Sequence, residues 1–272
     1  MQRHMARSAA NATQLRQIFS WLSIAPATAN FIGPLAAGLM IDHAGYRAAF
    51  LMLAILPIVT WLLVRSVPEP APAQTQSQAK GSLLDLWREP AFRRLVLING
   101  VVSAAWDSHS FIVPVLGHDR GLSASVIGAI VGSFALAAIV SRLAMPSLSK
   151  LLREWQMIGG AMLAAALIYA LYPLTTTALA MGLCSALLGT FLGIVNPLVM
   201  TLLHQVAPSH RHGEALAIRL VVINVSSVST PLLFGLLGGA IGVIAAFWMM
   251  ALALGLGSKM TMLLRGGEKG GG

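Results

Sequence analysis

The side chain best placed to do chemistry in this sequence is Asp107, the one carboxylate set in the middle of a long apolar run. Around it Asn99, Ser103, Asp107, Ser110 and Pro114 recur at spacings of 4, 4, 3 and 4, which puts them on one stripe of a helix. An acid is costly at such a depth in lipid and faces protein or water instead. Two readings follow: a site for a proton or a solute, or an acid merely tolerated in a wet cavity. His109, two residues on, belongs to another side of the helix and suits a packed or interfacial position better than a relay. Asn196 precedes Pro197, and Asn224 and Ser227 precede Pro231. Prolines release backbone groups that need partners away from water, so these polar side chains either bond locally or line a cavity as secondary solute contacts. Glu214 and Arg219 lie near the start of another apolar run and suit an interfacial ion pair with Arg142 or Arg211 better than a solute path.

Other chemistries lack residues. There is no His-x-x-x-His with a nearby acid, no glycine-rich phosphate loop after a strand and no pair of carboxylates, so no metal, no cofactor and no enzymatic activity is expected. The single cysteine, Cys184, has no intrachain partner and lies in apolar sequence, as a packing residue would.

The elements that hold these residues follow from composition. Of 272 residues, 57% are hydrophobic and 10% charged, against a charged share of about 25% for a fold that faces water. Lipid must be the main solvent. A bilayer core of about 30 Å takes about 20 apolar residues per helix. Eight such windows fall at 18–41, 48–65, 94–116, 124–145, 157–172, 176–203, 214–237 and 239–261. The predicted class is an all-α integral membrane protein with eight transmembrane helices.

Orientation follows from the 18 lysines and arginines, because cytoplasmic loops retain positive charge. Alternate connections and both ends of the chain take 16 of them, while the opposite side takes Arg47 and Arg120 only. This predicts a multi-pass protein of the inner (plasma) membrane with both termini cytoplasmic. It also removes nucleic acid as a partner, since the basic residues are spread over separate loops. The longest connection begins with a Pro, Ala and Gln stretch from Val67 to Lys80 that has too little apolar surface to fold. Ser82 then opens a capping-box pattern before Leu83, Leu84, Leu86 and Trp87, which predicts a short helix on the membrane surface.

The chain also repeats itself. Pro34, Leu35, Gly38, Leu39, Gly45, Ala48, Ala49 and Phe50 recur without a gap as Pro231, Leu232, Gly235, Leu236, Gly242, Ala245, Ala246 and Phe247. Spans one and two are thereby in register with spans seven and eight, so the repeating unit is six spans.

A six-span unit repeated in parallel resembles the major facilitator superfamily, and the resemblance covers the whole chain. Gly33-Pro34-Leu35-Ala36-Ala37-Gly38, followed by Asp42, Gly45, Tyr46, Arg47 and Phe50, is similar to that family's fifth helix running into its sixth. Residues 67–94 resemble the central cytoplasmic loop, Gly121-Leu122-Ser123 with Ile127-Gly128 the entry to the eighth helix, and 211–219 the start of the eleventh. The resemblance implies a major-facilitator-type helical bundle: two spans of the N-terminal half in 1–66, a linker with its interfacial helix in 67–93, the six-helix C-terminal half in 94–262 and a flexible tail in 263–272. A four-helix N-terminal segment is then missing, and the chain as it stands is truncated. Small residues at Ala25, Ala29, Gly33 and Ala37, every fourth position, form a face for close helix approach. Pro34, Gly38, Pro231 and Gly235 join them as packing candidates, with Arg142, Glu214 and Arg219 as gating candidates.

The function implied is secondary active transport of a small solute, proton-coupled through Asp107, with Asn99, Ser103, Ser110, Asn196, Asn224 and Ser227 around the cavity. Export is suggested by the Gly-Pro element. The partners are then the lipid bilayer, a small-molecule substrate and protons. The alternative is a non-transporting membrane remnant that acts as an interaction or assembly partner.

The topology is tested by cysteine accessibility on a Cys184-free background. A cysteine at Ser123 should react with an impermeant reagent from outside, while cysteines at Ser77 and in the C-terminal glycines should not. Outside labelling at Ser77 overturns the arrangement.

Overall fold

A computed structural model describes residues 12–65, 83–148, 153–208 and 211–262, with side chains from Thr28 onward except at 83–84, 145–148 and 237–241. Among the described residues the long elements are all helices: α1 (Ala12–Val64), α2 (Leu83–Arg88), α3 (Pro90–Asp119), α4 (Ala124–Leu148), α5 (Glu154–Leu171), α6 (Ala178–Val206), α7 (His212–Ile241) and α8 (Val243–Met262). A 3-10 turn at Tyr172–Leu174 follows α5. Seven of the helices are long and apolar enough to cross a membrane. The apolar segment of α1, Thr28–Val64, has 37 residues. At 1.5 Å per residue that is about 55 Å, too long for a single crossing of a core of about 30 Å. It is broken at Gly45, whose φ of 79° and ψ of 171° no α-helix contains. The two limbs, 12–44 and 46–64, correspond to the first two expected spans, and α3 to α8 to the other six. The helical membrane bundle read from the sequence is the fold of the chain. The expected linker at 67–80, the Ser82 cap and the tail at 263–272 lie outside the described residues. A short helix, α2, stands where the surface helix was expected.

The internal repeat has a backbone counterpart. Gly242, which matches Gly45 in the repeat, has a φ of 85° and separates α7 from α8 as Gly45 separates the limbs of α1. Both positions need the left-handed region, which glycine enters without a Cβ clash. The chain therefore turns between paired helices in the same way at both places.

Packing is closest where α4 lies between the first limb of α1 and α6. A Cβ at Gly38 would overlap the Ala124 carbonyl, one at Gly128 the Pro34 carbonyl, and one at Gly189 the Phe134 carbonyl. In lipid, where apolar surface supplies little drive between helices, contact of this kind is what holds them together. A polar clasp closes the α1–α4 contact at one end: the Asp42 carboxylate accepts from the Ala124 and Ser125 amides at 3.0 and 2.8 Å and from the Ser125 hydroxyl. These amides belong to the exposed N-terminal turn of α4, which any helix must satisfy from outside itself.

α3 contacts α4, α6, α7 and α8 and so forms the axis of the bundle. Beside it Tyr169, Tyr172, Phe134 and Phe247 are fully or almost fully buried. His109 is buried among them, stacked on Phe134 with ring centroids 4.1 Å apart, and its Nε2 lies 2.9 Å from Ser185 Oγ. The Tyr172 hydroxyl reaches the same serine at 2.7 Å. At the end of α3, Arg120 donates to the Pro173 carbonyl at 2.7 Å and to Thr175 Oγ1 at 3.1 Å, fixing the short connection between α5 and α6.

Two glycines of α6 separate contact from helix propensity. Gly189→Ala should lower stability by about 1–3 kcal/mol by overpacking against α4. Gly182→Ala, with no atom within 4 Å of the added Cβ, should leave stability unchanged or raise it by up to about 1 kcal/mol. Thermal unfolding of both variants in detergent checks the contrast; equal losses would remove the close-contact account.

Candidate functional site

The polar residues of α3 do not share one environment. Asn99 is fully buried and donates from Nδ2 to Asn196 Oδ1 on α6 at 3.0 Å. Arg219 on α7 donates to the same oxygen at 3.2 Å, so one amide acceptor ties three helices. Farther along the α3–α7 seam, Ser226 Oγ donates to the Gly100 carbonyl at 3.3 Å and Ser227 Oγ donates to Asp107 Oδ2 at 2.7 Å. Ser110 and Pro114 instead line a cavity of about 760 Å³ between the first limb of α1, α3 and α4, with Asn30, Pro34, Gly38 and Trp106 among its walls. Asp107 is not among the residues lining it. The stripe expected to face one solute path thus divides between a seam and a cavity, because helices pack against α3 on several sides.

The other candidates separate in the same way. Ser103 is half-buried, while Asn224 is exposed and bonds the Leu220 carbonyl of its own helix at 2.9 Å. Ala29 and Gly33 are exposed. Gly235 borders a small apolar crevice of about 260 Å³ with Phe111 and Phe234, and Pro231 is half-buried inside α7. Glu214 pairs with Arg211 at 2.6 Å, one of the two partners named for it, and does not reach Arg219 or Arg142.

Arg142 is placed by a proline. Pro197 has no N–H to give to the carbonyl four residues earlier, which is that of Gly193. Arg142 on α4 supplies the missing donor, with Nε 3.1 Å from Gly193 O. Its guanidinium lies over the Trp106 ring, 5.7 Å from the centroid, a favourable cation–π separation. Sequence reasoning offered Arg142 as a gating residue or a partner for Glu214 and missed this contact. The signal that could have found it is the glycine four residues before Pro197.

Among the described residues no group of three or more His, Cys, Asp or Glu side chains is arranged to hold a metal. Chemically, the seam offers neutral hydrogen-bonding groups, two arginines and one carboxyl, Asp107. Compared with protein families, residues 4–218 and, in a second match, 95–270 fit the Major Facilitator Superfamily. The chain belongs to that superfamily. Members of the Major Facilitator Superfamily are membrane transporters. No curated protein matches the chain.

Asn196 is the residue on which this seam's polar contacts converge. Asn196→Leu leaves the Asn99 amide and the Arg219 guanidinium without their common acceptor, and should cost about 2–6 kcal/mol at about 1–3 kcal/mol per stranded donor. Asn224→Leu removes only a bond within one helix and should change stability by less than about 1 kcal/mol. Denaturation of the two variants side by side tests this; equal effects would mean that the three-helix contact carries no stability.

Proposed function

We propose that this superfamily member is a secondary active transporter that moves a small solute across the inner membrane, coupled to protons, with both termini in the cytoplasm. The observation that carries the reading is Asp107, whose carboxylate receives Ser227 across the α3–α7 seam and has no ion-pair partner among the described residues. A carboxyl held in this way can gain or lose a proton without breaking a salt bridge. A serine hydroxyl serves both states, because it donates to a carboxylate and accepts from a carboxylic acid. The contact joins two different helices, so a change in the charge of Asp107 acts directly on how they meet. Rocking of helix bundles about a site at mid-depth then couples proton and solute movement. Export is supported by the Gly33-Pro34 element of the family resemblance alone. The cytoplasmic placement of the termini is supported by the 16 to 2 division of basic residues.

Asp107→Asn keeps shape and hydrogen bonding and removes the titration. In membrane vesicles from cells expressing the gene at its native locus, the variant should still exchange solute across the membrane but fail to concentrate it under an imposed pH gradient. A purely structural Asp107 would give poor membrane abundance with coupling intact in what remains. Unchanged accumulation at normal abundance removes Asp107 from the mechanism.

A further inference from the structure

Two guanidinium groups reach one turn of α6 from different helices, and neither meets a carboxylate. Arg142 of α4 is held at the Gly193 carbonyl and Arg219 of α7 at the Asn196 side chain. Positions three apart on a helix lie on the same side, about 5–6 Å from each other. Among the described residues no Asp or Glu comes within ion-pairing distance of either arginine, since Glu214 is taken by Arg211. Arg219 Nε is buried with no hydrogen-bond partner, and so is Asn99 Oδ1 beside it. The one carboxylate in the middle of a span, Asp107, is eight residues farther along α3 than Asn99, about 12 Å in rise, and is bonded to Ser227.

Arg219 is half-buried and Arg142 exposed, and both heads are held at α6. Gly193 packs against Ser141 and Ala138, so the Arg142 head is kept in the contact between α4 and α6 and beside Trp106 of α3. Two cations held at one turn of α6 with no carboxylate in ion-pairing distance among the described residues leave that region short of negative charge. Guanidinium groups match the planar oxygens of carboxylates and phosphates, which Arg binds through two parallel hydrogen bonds.

We propose that Arg142 and Arg219, on the Asn196-Pro197 turn of α6, form an oxyanion subsite, so that the solute carries a carboxylate or phosphate group. The identification of this ligand as a transported solute rests on the transport reading above, whereas the subsite itself does not. Binding is therefore measured on the purified 272-residue protein in detergent at constant ionic strength, with acetate, succinate, benzoate and inorganic phosphate as probes and glucose as the neutral control. At least one oxyanion should raise the melting temperature saturably while glucose does not, and the carboxylate and phosphate arms tell the two sources apart. Arg142→Gln and Arg219→Gln should each weaken that binding at least tenfold, and Arg219→Lys should recover part of it. Arg47→Gln, an exposed position remote from α6 in sequence, should leave it unchanged. Arg219→Lys keeps the experiment decisive if a glutamine variant misfolds.

No response to any of the four anions, or a response indifferent to both arginines, overturns the proposal. So does vesicle transport of a neutral or cationic solute at rates unaltered by Arg142→Gln and Arg219→Gln, and that result leaves the transport reading standing. Arginine-dependent anion binding with no solute movement in vesicles supports the subsite and counts against the transport reading alone.

Discussion

A proline inside a membrane helix strands one carbonyl, and in α6 that carbonyl is Gly193 O, four residues before Pro197. Water cannot serve it in the hydrocarbon core, so a donor has to come from the protein. The donor is Arg142, and its choice has consequences beyond one bond. The guanidinium is drawn over Trp106 on α3, so α3, α4 and α6 are joined by one side chain. Asn196, next to the proline, draws Asn99 and Arg219 in the same way from α3 and α7. Four helices therefore converge on a two-residue step. Without Pro197 the Gly193 carbonyl would bond within its own helix, and Arg142 would have no open acceptor to reach on α6.

The glycine-to-carbonyl contacts on both sides of α4 obey the same constraint from the opposite direction. Where carbonyls already have their helical donors, the helices can approach until only the absence of a Cβ permits the contact, as at Gly38, Gly128 and Gly189. Asp42 then satisfies the amides at the head of α4 that no helix can satisfy for itself. The repeat shows what such contacts add. Gly45 and Gly242 make the same turn, yet Phe247 is fully buried against Tyr172 while its counterpart Phe50 is 68% exposed. Equal sequence sets an equal backbone break; burial depends on the neighbours, and α8 has α3 and α5 against it.

Much of the architecture could be read before any coordinates, because a membrane helix announces itself by length and hydropathy. The windows and the observed helices agree to within a few residues at most ends, and the glycine and proline matches of the repeat marked a turn that exists twice. The site was legible in composition and not in direction. Asn99, Asp107 and Ser110 fit one stripe by spacing, yet their side chains meet α6, α7 and a cavity respectively, since a helix surrounded on several sides has no single inner face. Spacing along one helix carries no information about which neighbour stands opposite. Asp42 and Arg142 show the same limit, as their partners lie 82 and 51 residues away in the chain. Only the proline offset carried a local hint, for Arg142 alone.

The separation of charges along the α3–α7 seam bears on how such a protein could move. Arg219 and Asp107 are of opposite sign and sit on adjacent helices, and a direct pair between them would be a strong lock in a medium of low dielectric. They are kept apart: Arg219 by Asn196, and Asp107 by Ser227. The bonds made to each are single hydrogen bonds to neutral groups, weaker than an ion pair and replaceable by a solute or a proton. A helix seam held by such contacts can open without first breaking a buried salt bridge, whose loss would strand two charges. The Arg211–Glu214 pair, within three residues of one another at the head of α7, contrasts with this. Both partners sit within one turn, so the pair can persist unchanged while the seam beyond it rearranges.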